Sequence, residues 1–304
     1  MKATMLTRVR AYLKHRRACG FRLLTEGRML ENFARFADRS GQSGPLTKRL
    51  AIRWASSTKG ASRPYRARRL DLIRSFAQYQ VIFEPKTQIP PRHVFGPARR
   101  RVTPYIYRPD EIQELMRRAA QLSGPLRGHT YCTLIGLLAC TGLRVSEALR
   151  LTPKDIDLQE GVITVRESKH FKTRLVPLHA SAIAPLRRYQ RQRQRLFPLA
   201  TAFFVSKSGA PLVLSTVDLT FSKLRHRIGD DQRRPRLYDL RHAFACRVLL
   251  RWQGSSRGAV GRVPLLSRYL GHTWVTDTYW YLSGVPELLA QAARSFSQYE
   301  NQRS

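Results

Sequence analysis

The chain has 304 residues, of which 55 are Lys or Arg and 20 are Asp or Glu, giving a formal net charge of +35. That length supports two ordinary domains, each with its own core, and a charge this large destabilises a compact fold unless a polyanion such as nucleic acid offsets it. The composition argues against membrane, secreted and metal-binding classes: the longest apolar run, Tyr131 to Leu143, is too short for a bilayer span, the N-terminus has no apolar signal core, and Cys19, Cys132, Cys140 and Cys246 form no C-x-x-C pair. A cytoplasmic, nucleoid-associated protein with mostly buried, free thiols is the expectation. Residues 1–100 hold 23 basic and 5 acidic residues, so the excess positive charge is not confined to one tail.

In chain order, residues 1–90 read as helical. Val9, Tyr12 and Leu13, then Met29, Phe33 and Phe36, recur at three- and four-residue spacing, and further helices are predicted over Lys48–Ser56 and Arg63–Tyr79. The last of these interleaves Arg66, Arg68, Arg69 and Arg74 with Leu70, Leu72, Ile73 and Phe76, so one face can pack while the other meets phosphate. Pro85, Pro90, Pro91, Pro97 and Pro104 then break the helical pattern around the basic run Arg99-Arg100-Arg101. This predicts a basic interdomain linker over residues 91–107, placed to carry charge along DNA.

From residue 108 the pattern resumes. Helices are predicted from Pro109-Asp110 past Leu115, over Arg127–Cys140 and over Val145–Leu151. Val162–Val165 and Arg174–Leu178 read as a β-hairpin and Ala202–Ser206 as a third strand. Helices return at Ala180–Gln194, Ser215–Ile228, Tyr238–Trp252, Pro264–Leu270 and Pro286–Ser297.

Four short clusters carry the candidate chemistry. Thr141-Gly142-Leu143-Arg144-Val145-Ser146-Glu147 puts an arginine between a helix end and the next helix start. Ser168-Lys169-His170-Phe171-Lys172-Thr173-Arg174 puts cations on the hairpin tip. Tyr238-Asp239-Leu240-Arg241-His242 follows, and Leu270-Gly271-His272 precedes Tyr281 by nine residues.

In this order and spacing the clusters resemble the catalytic domain of the tyrosine recombinases, which include phage and transposon integrases. The resemblance covers Thr141 to Tyr281 and, more loosely, the helical N-terminal region. It implies that Arg144 and Arg241 hold the scissile phosphate, that Lys169 protonates the leaving 5′ oxygen, and that His272 hydrogen-bonds the phosphate or assists proton transfer. Tyr281 would be the nucleophile, forming a 3′-phosphotyrosyl link. Tyr238 stands where the family usually has His. Tyrosine can donate a hydrogen bond to phosphate but is no near-neutral base, so a general-base role at that position is in doubt. His242, one position after Arg241, is expected to point elsewhere and to be structural. Tyr279 competes with Tyr281 as nucleophile, and the nine-residue spacing from His272 favours Tyr281; Tyr279 and Trp280 are expected to pack, and Glu147 and Asp239 to orient arginines or cap helices.

The expected architecture is mainly α with a small β-sheet, in a two-domain C-shaped DNA clamp. Residues 1–90 form the core-binding domain, 91–107 the linker, and 108–304 the catalytic domain with a C-terminal docking helix. The expected DNA-binding cations are Arg66, Arg68, Arg69, Arg74, Arg99, Arg100, Arg101, Lys172 and Arg174. The expected function is site-specific recombination through a Holliday junction, with double-stranded DNA as partner, a homotetramer on DNA, accessory recombinases as further partners, and no metal or other cofactor. A catalytically silent DNA-binding accessory protein, or a relaxase resembling type IB topoisomerases, is the alternative.

Overall fold

A computed structural model describes residues 4–41, 44–98, 104–166, 173–229, 234–253 and 258–283. The chain divides into two compact units, Met1–Val102 and Thr103–Ser304.

The first unit has four helices, α1 (Met5–Ala18), α2 (Leu24–Arg39), α3 (Lys48–Ser56) and α4 (Arg63–Gln80). Three begin at a hydroxyl cap: Thr4, Thr47 and Ser62 each accept the backbone N–H three residues on, satisfying a donor that the helix leaves open. Asp38, near the end of α2, receives the N–H groups of Met5 and Leu6 at 2.8 and 3.2 Å and so pins the start of α1. The apolar stripes meet in one core built on Val9, Leu30, Phe33, Trp54, Ile73 and Phe76, all nearly or fully buried. Each such side chain contributes about 1.5–3 kcal/mol.

The second unit is helical with a small sheet. α5 (Pro109–Ala120) and α6 (Arg127–Thr141) pack together, and the short α7 (Val145–Ala148) follows. The strands β1 (Ile156–Asp157), β2 (Val162–Val165) and β3 (Arg174–Pro177) pair antiparallel in chain order, with Ile163 opposite Val176. Both of those residues are fully buried, which sets the register. Then come α8 (Ala180–Leu196), α9 (Leu214–Leu224), α10 (Asp239–Gln253), α11 (Gly258–Leu270) and α12 (Thr276–Ser283). α6 buries residues around most of its circumference and packs against α5, α8 and α10. The described residues are therefore mostly helical with a three-stranded sheet.

Several expected elements differ. Ala202–Ser206 is not a strand: Phe203 and Phe204 are consecutive and both fully buried, so the segment is a core plug, and its one bridge, Val205 to Pro211, ends at a residue with no N–H to extend a ladder. The third strand is β1, too short for its period to be read. α11 begins at Gly258, six residues before Pro264, and so carries that proline inside it. Of the four free cysteines only Cys246 is buried. The segment expected as a linker has packed flanks: Phe95 lies against the first core, and Tyr107 is inside the second. No described helix is long and apolar enough to cross a membrane.

Candidate active site and nucleic-acid interface

The candidate residues meet where two helices end. α6 is capped by Gly142 in the left-handed conformation, φ 63°, where a β-carbon would come within 2.5 Å of Phe244 Cδ1. α11 is capped by Gly271, φ 68°. The Gly271 N–H donates to Arg268 O at 3.1 Å and the His272 N–H to Ser267 O at 3.0 Å. This pair of bonds is a Schellman cap, and it explains the glycine. It leaves the final carbonyls of α11 without helical partners, at the negative end of the helix dipole.

Three arginines from three other elements take those carbonyls. Arg174 of β3 donates through Nε to Tyr269 O at 2.9 Å. Arg241 of α10 donates through Nη2 to Leu270 O at 2.7 Å, and through Nη1 to Gly142 O at 2.7 Å, so it ties both helix ends. Arg144, the residue before α7, donates through Nη2 to Gly271 O at 3.0 Å. On the other side stands Glu147, its side chain 2% exposed. Its Oε1 accepts Arg144 Nη1 at 2.7 Å and Arg174 Nη1 at 3.1 Å, and its Oε2 accepts the Arg144 N–H at 2.9 Å and Arg174 Nη2 at 2.8 Å. Burial alone would raise the Glu147 pKa, but the hydrogen bond and charge of Arg174, together with Arg144, hold it at about 2. Arg241 is 1% exposed, and burial followed by repulsion from Arg144 lowers its pKa. Among the described residues nothing accepts from its Nε.

Tyr281, on α12, is 2% exposed in a small core with Leu249 and Leu266. Burial pushes its phenol up to about 12, while the charge of Arg241 pulls the other way. The His272 ring stacks on it with centroids 6.1 Å apart, and Thr278 fixes that imidazole through a 2.6 Å contact between Oγ1 and Nδ1. Burial, then the charges of Arg241, Arg144 and Arg174, bring the His272 pKa down to about 3. Tyr238 is 43% exposed and lines, with Arg144, Ser146, Arg225 and Arg236, a groove of about 550 Å³. Asp239 pairs with Arg236 at 2.8 Å.

His242 overturns its expectation of pointing away. Its ring lies 5.3 Å from that of Tyr281 and 4.9 Å from that of Tyr238, and burial lowers its pKa to about 4. The packing of α12 across α10 brings the phenol to it, a tertiary fact with no signal in the spacing. Tyr279, expected to pack, is 43% exposed.

Arg174, expected on the DNA-facing side of the hairpin, is instead spent on Glu147 and Tyr269 O, with a side chain 12% exposed. Arg69 is likewise corrected: it is 5% exposed and lies 3.8 Å over the Trp54 ring, where the apolar faces of α3 and α4 meet. Arg68 pairs with Glu26 at 3.0 Å and keeps an exposed side chain. Arg66 is half-buried, and Arg74 holds Pro90 O beside a polar groove of about 340 Å³ that Arg92 and His93 also line. Lys169, Lys172, Arg99, Arg100, Arg101 and the helix expected at Pro286–Ser297 lie outside the described residues.

The model of the phage integrase family matches residues 106–284. A putative integrase/recombinase, y4rB of Sinorhizobium fredii, is 38% identical over 304 residues, covering 96% of each chain. The tyrosine recombinase XerC of Proteus mirabilis is 31% identical over 217 residues, 71% of this chain and 66% of that protein. The fold is similar to that of the Tn1549 transposon integrase solved with transposon right-end DNA, with a TM-score of 0.66 at 17% identity over 98% of this chain and 99% of that one.

Proposed function

Because this chain belongs to the phage integrase family, we propose that it is a site-specific recombinase that cuts and rejoins duplex DNA through a covalent link to Tyr281. The observation that supports this most is the seating of Arg144 and Arg241 on adjacent carbonyls, Gly271 O and Leu270 O, with Tyr281 under the charge of Arg241. Two guanidinium groups fixed before substrate arrives suit a phosphorus centre that gathers negative charge as it becomes five-coordinate. They need little reorganisation in the transition state.

In this reading the Tyr281 oxygen attacks phosphorus, the bond to the 5′ oxygen breaks, and Lys169 supplies the proton that the departing oxygen takes up. The Tyr281 proton passes to a neighbouring acceptor or to water. His272, neutral at pH 7, keeps Nε2 for the phosphate because Thr278 occupies Nδ1. Tyr238 reaches the same phosphate from the groove it shares with Arg144. The phosphotyrosyl link conserves the energy of the broken phosphodiester, so religation to a partner strand needs no nucleotide. We further propose that both units contact duplex DNA, that Arg66, Arg68 and Arg74 serve the first unit, and that four protomers assemble on two sites.

A nicked suicide substrate carrying the cognate site tests the reading. Wild-type protein forms a covalent complex that survives denaturing electrophoresis, and Tyr281→Phe forms none while binding DNA normally. Trapping by the Phe variant moves the nucleophile elsewhere, and failure of wild-type protein to trap on its mapped site favours the non-cutting accessory role.

A further inference from the structure

Resting on that reading, we propose that Arg174 is a positioning residue for strand cleavage: it occupies Glu147 so that the carboxylate does not neutralise Arg144, and so preserves positive charge where the phosphate binds.

Arg144, Glu147 and Arg174 form one buried cluster, and Glu147 makes all four of its hydrogen bonds within it, two to each arginine. Two guanidiniums against one carboxylate leave a net positive charge. Without Arg174, a carboxylate 2% exposed would keep Arg144 as its one hydrogen-bonded cation, and that pair would be electrically neutral. A neutral pair makes a poor phosphate ligand, since anion binding by arginine rests on charge-assisted bonds.

Geometry makes arginine particular here. The fork of Arg174 spans both oxygens of Glu147 while Nε holds Tyr269 O at 2.9 Å. One planar group thus fixes Glu147 against the same α11 cap that seats Arg144 and Arg241. A lysine ammonium cannot make these three directed contacts at once. A β-carbon on Gly271 would come within 2.8 Å of Arg174 Nη1, so the guanidinium fills the space that this glycine leaves. Nε, Nη1 and Nη2 of Arg174 are all engaged, by Tyr269 O and the two oxygens of Glu147. Its influence on the phosphate therefore runs through Glu147 and Arg144.

The test uses full-length protein and two suicide substrates. One has the normal scissile phosphodiester, and the other a methylphosphonate, which lacks the negative charge. Arg174→Met is expected to slow covalent trapping about 100-fold on the phosphodiester, the scale of losing one transition-state donor. On the methylphosphonate the loss should shrink to about tenfold or less, because a neutral group needs less positive charge. The double variant E147Q/R174M, which removes both charges, should recover about tenfold over R174M on the phosphodiester. A purely structural arginine would slow both substrates equally and would gain nothing from E147Q, and either result overturns the proposal. Should R174M lose its cooperative thermal transition, R174K decides. It keeps the charge, so a folded R174K should retain a tenth or more of the wild-type rate, and a loss as large on methylphosphonate as on phosphodiester overturns the assignment. Failure of wild-type protein to trap on either substrate would instead remove the recombinase reading itself.

Discussion

At the scale of single residues, the site is a set of ionisable groups whose pKa values burial and neighbouring charges have moved. His242 and His272 are kept neutral by burial, with pKa values lowered to about 4 and about 3. In the unfolded chain histidine titrates near 6.5, so unfolding takes up protons once the pH drops below that value, and stability falls with it. Thermal melts of the DNA-free protein should show the melting temperature declining from pH 6.5 to pH 4.5. Below pH 4.5 Glu147 adds to the loss, because its lowered pKa contributes stability that disappears as pH falls toward 2. Replacing His242 by Phe keeps a ring against Tyr281 and removes the charge. It should recover on the order of 2 kcal/mol at pH 4.5 and change little at pH 8, and an unchanged pH slope in His242→Phe would place the titration elsewhere. The catalytic candidates were legible because they travel in boxes whose spacing is itself informative. The side chains around them were not. Arg174 and Arg69 read as surface cations because an arginine on a strand or in a basic helix usually is one. Only the tertiary contact with Glu147, or with Trp54, takes the guanidinium indoors. The place of His242 is not legible in the sequence, because helix geometry separates it from Arg241 by one position, whereas the Tyr281 ring packing across α10 comes within 5.3 Å of it.

At the scale of elements, helix ends do most of the positioning. Amphipathic stripes made the four N-terminal helices readable, and the two glycines of the boxes mark real caps. Sequence and structure part where periodicity carries no information: a two-residue strand, a doubly buried Phe203-Phe204 pair, and a proline inside α11. The α11 cap provides a sharp test. Gly271→Ala puts a β-carbon on a residue at φ 68° and within 2.8 Å of Arg174 Nη1. The backbone strain alone costs about 1–2 kcal/mol, which calorimetry or melting should register. Cleavage should suffer far more, about 1000-fold, because Arg144, Arg174 and Arg241 all lean on residues 269–271. A loss of cleavage no larger than that of R174M would mean the three seats are independent.

At the scale of the whole molecule, charge governs behaviour. The first unit alone carries 24 basic and 5 acidic residues, so affinity for DNA should fall steeply with salt as bound counterions are released. In the sequence Leu288, Leu289, Ala292, Ala293 and Phe296 recur at helical spacing, and we propose that this stretch docks on a neighbouring protomer. Deleting residues 286–304 should leave the salt slope and strength of single-site binding unchanged in gel-shift titrations and abolish paired-site complexes. Recombination at the wild-type rate by the truncated protein would exclude that role. The closing turn of α11 bears on more than one experiment. It works as the keystone of an arch whose stones arrive from the start of α7, from β3 and from α10, so one disturbance of that turn reaches three guanidinium groups at once.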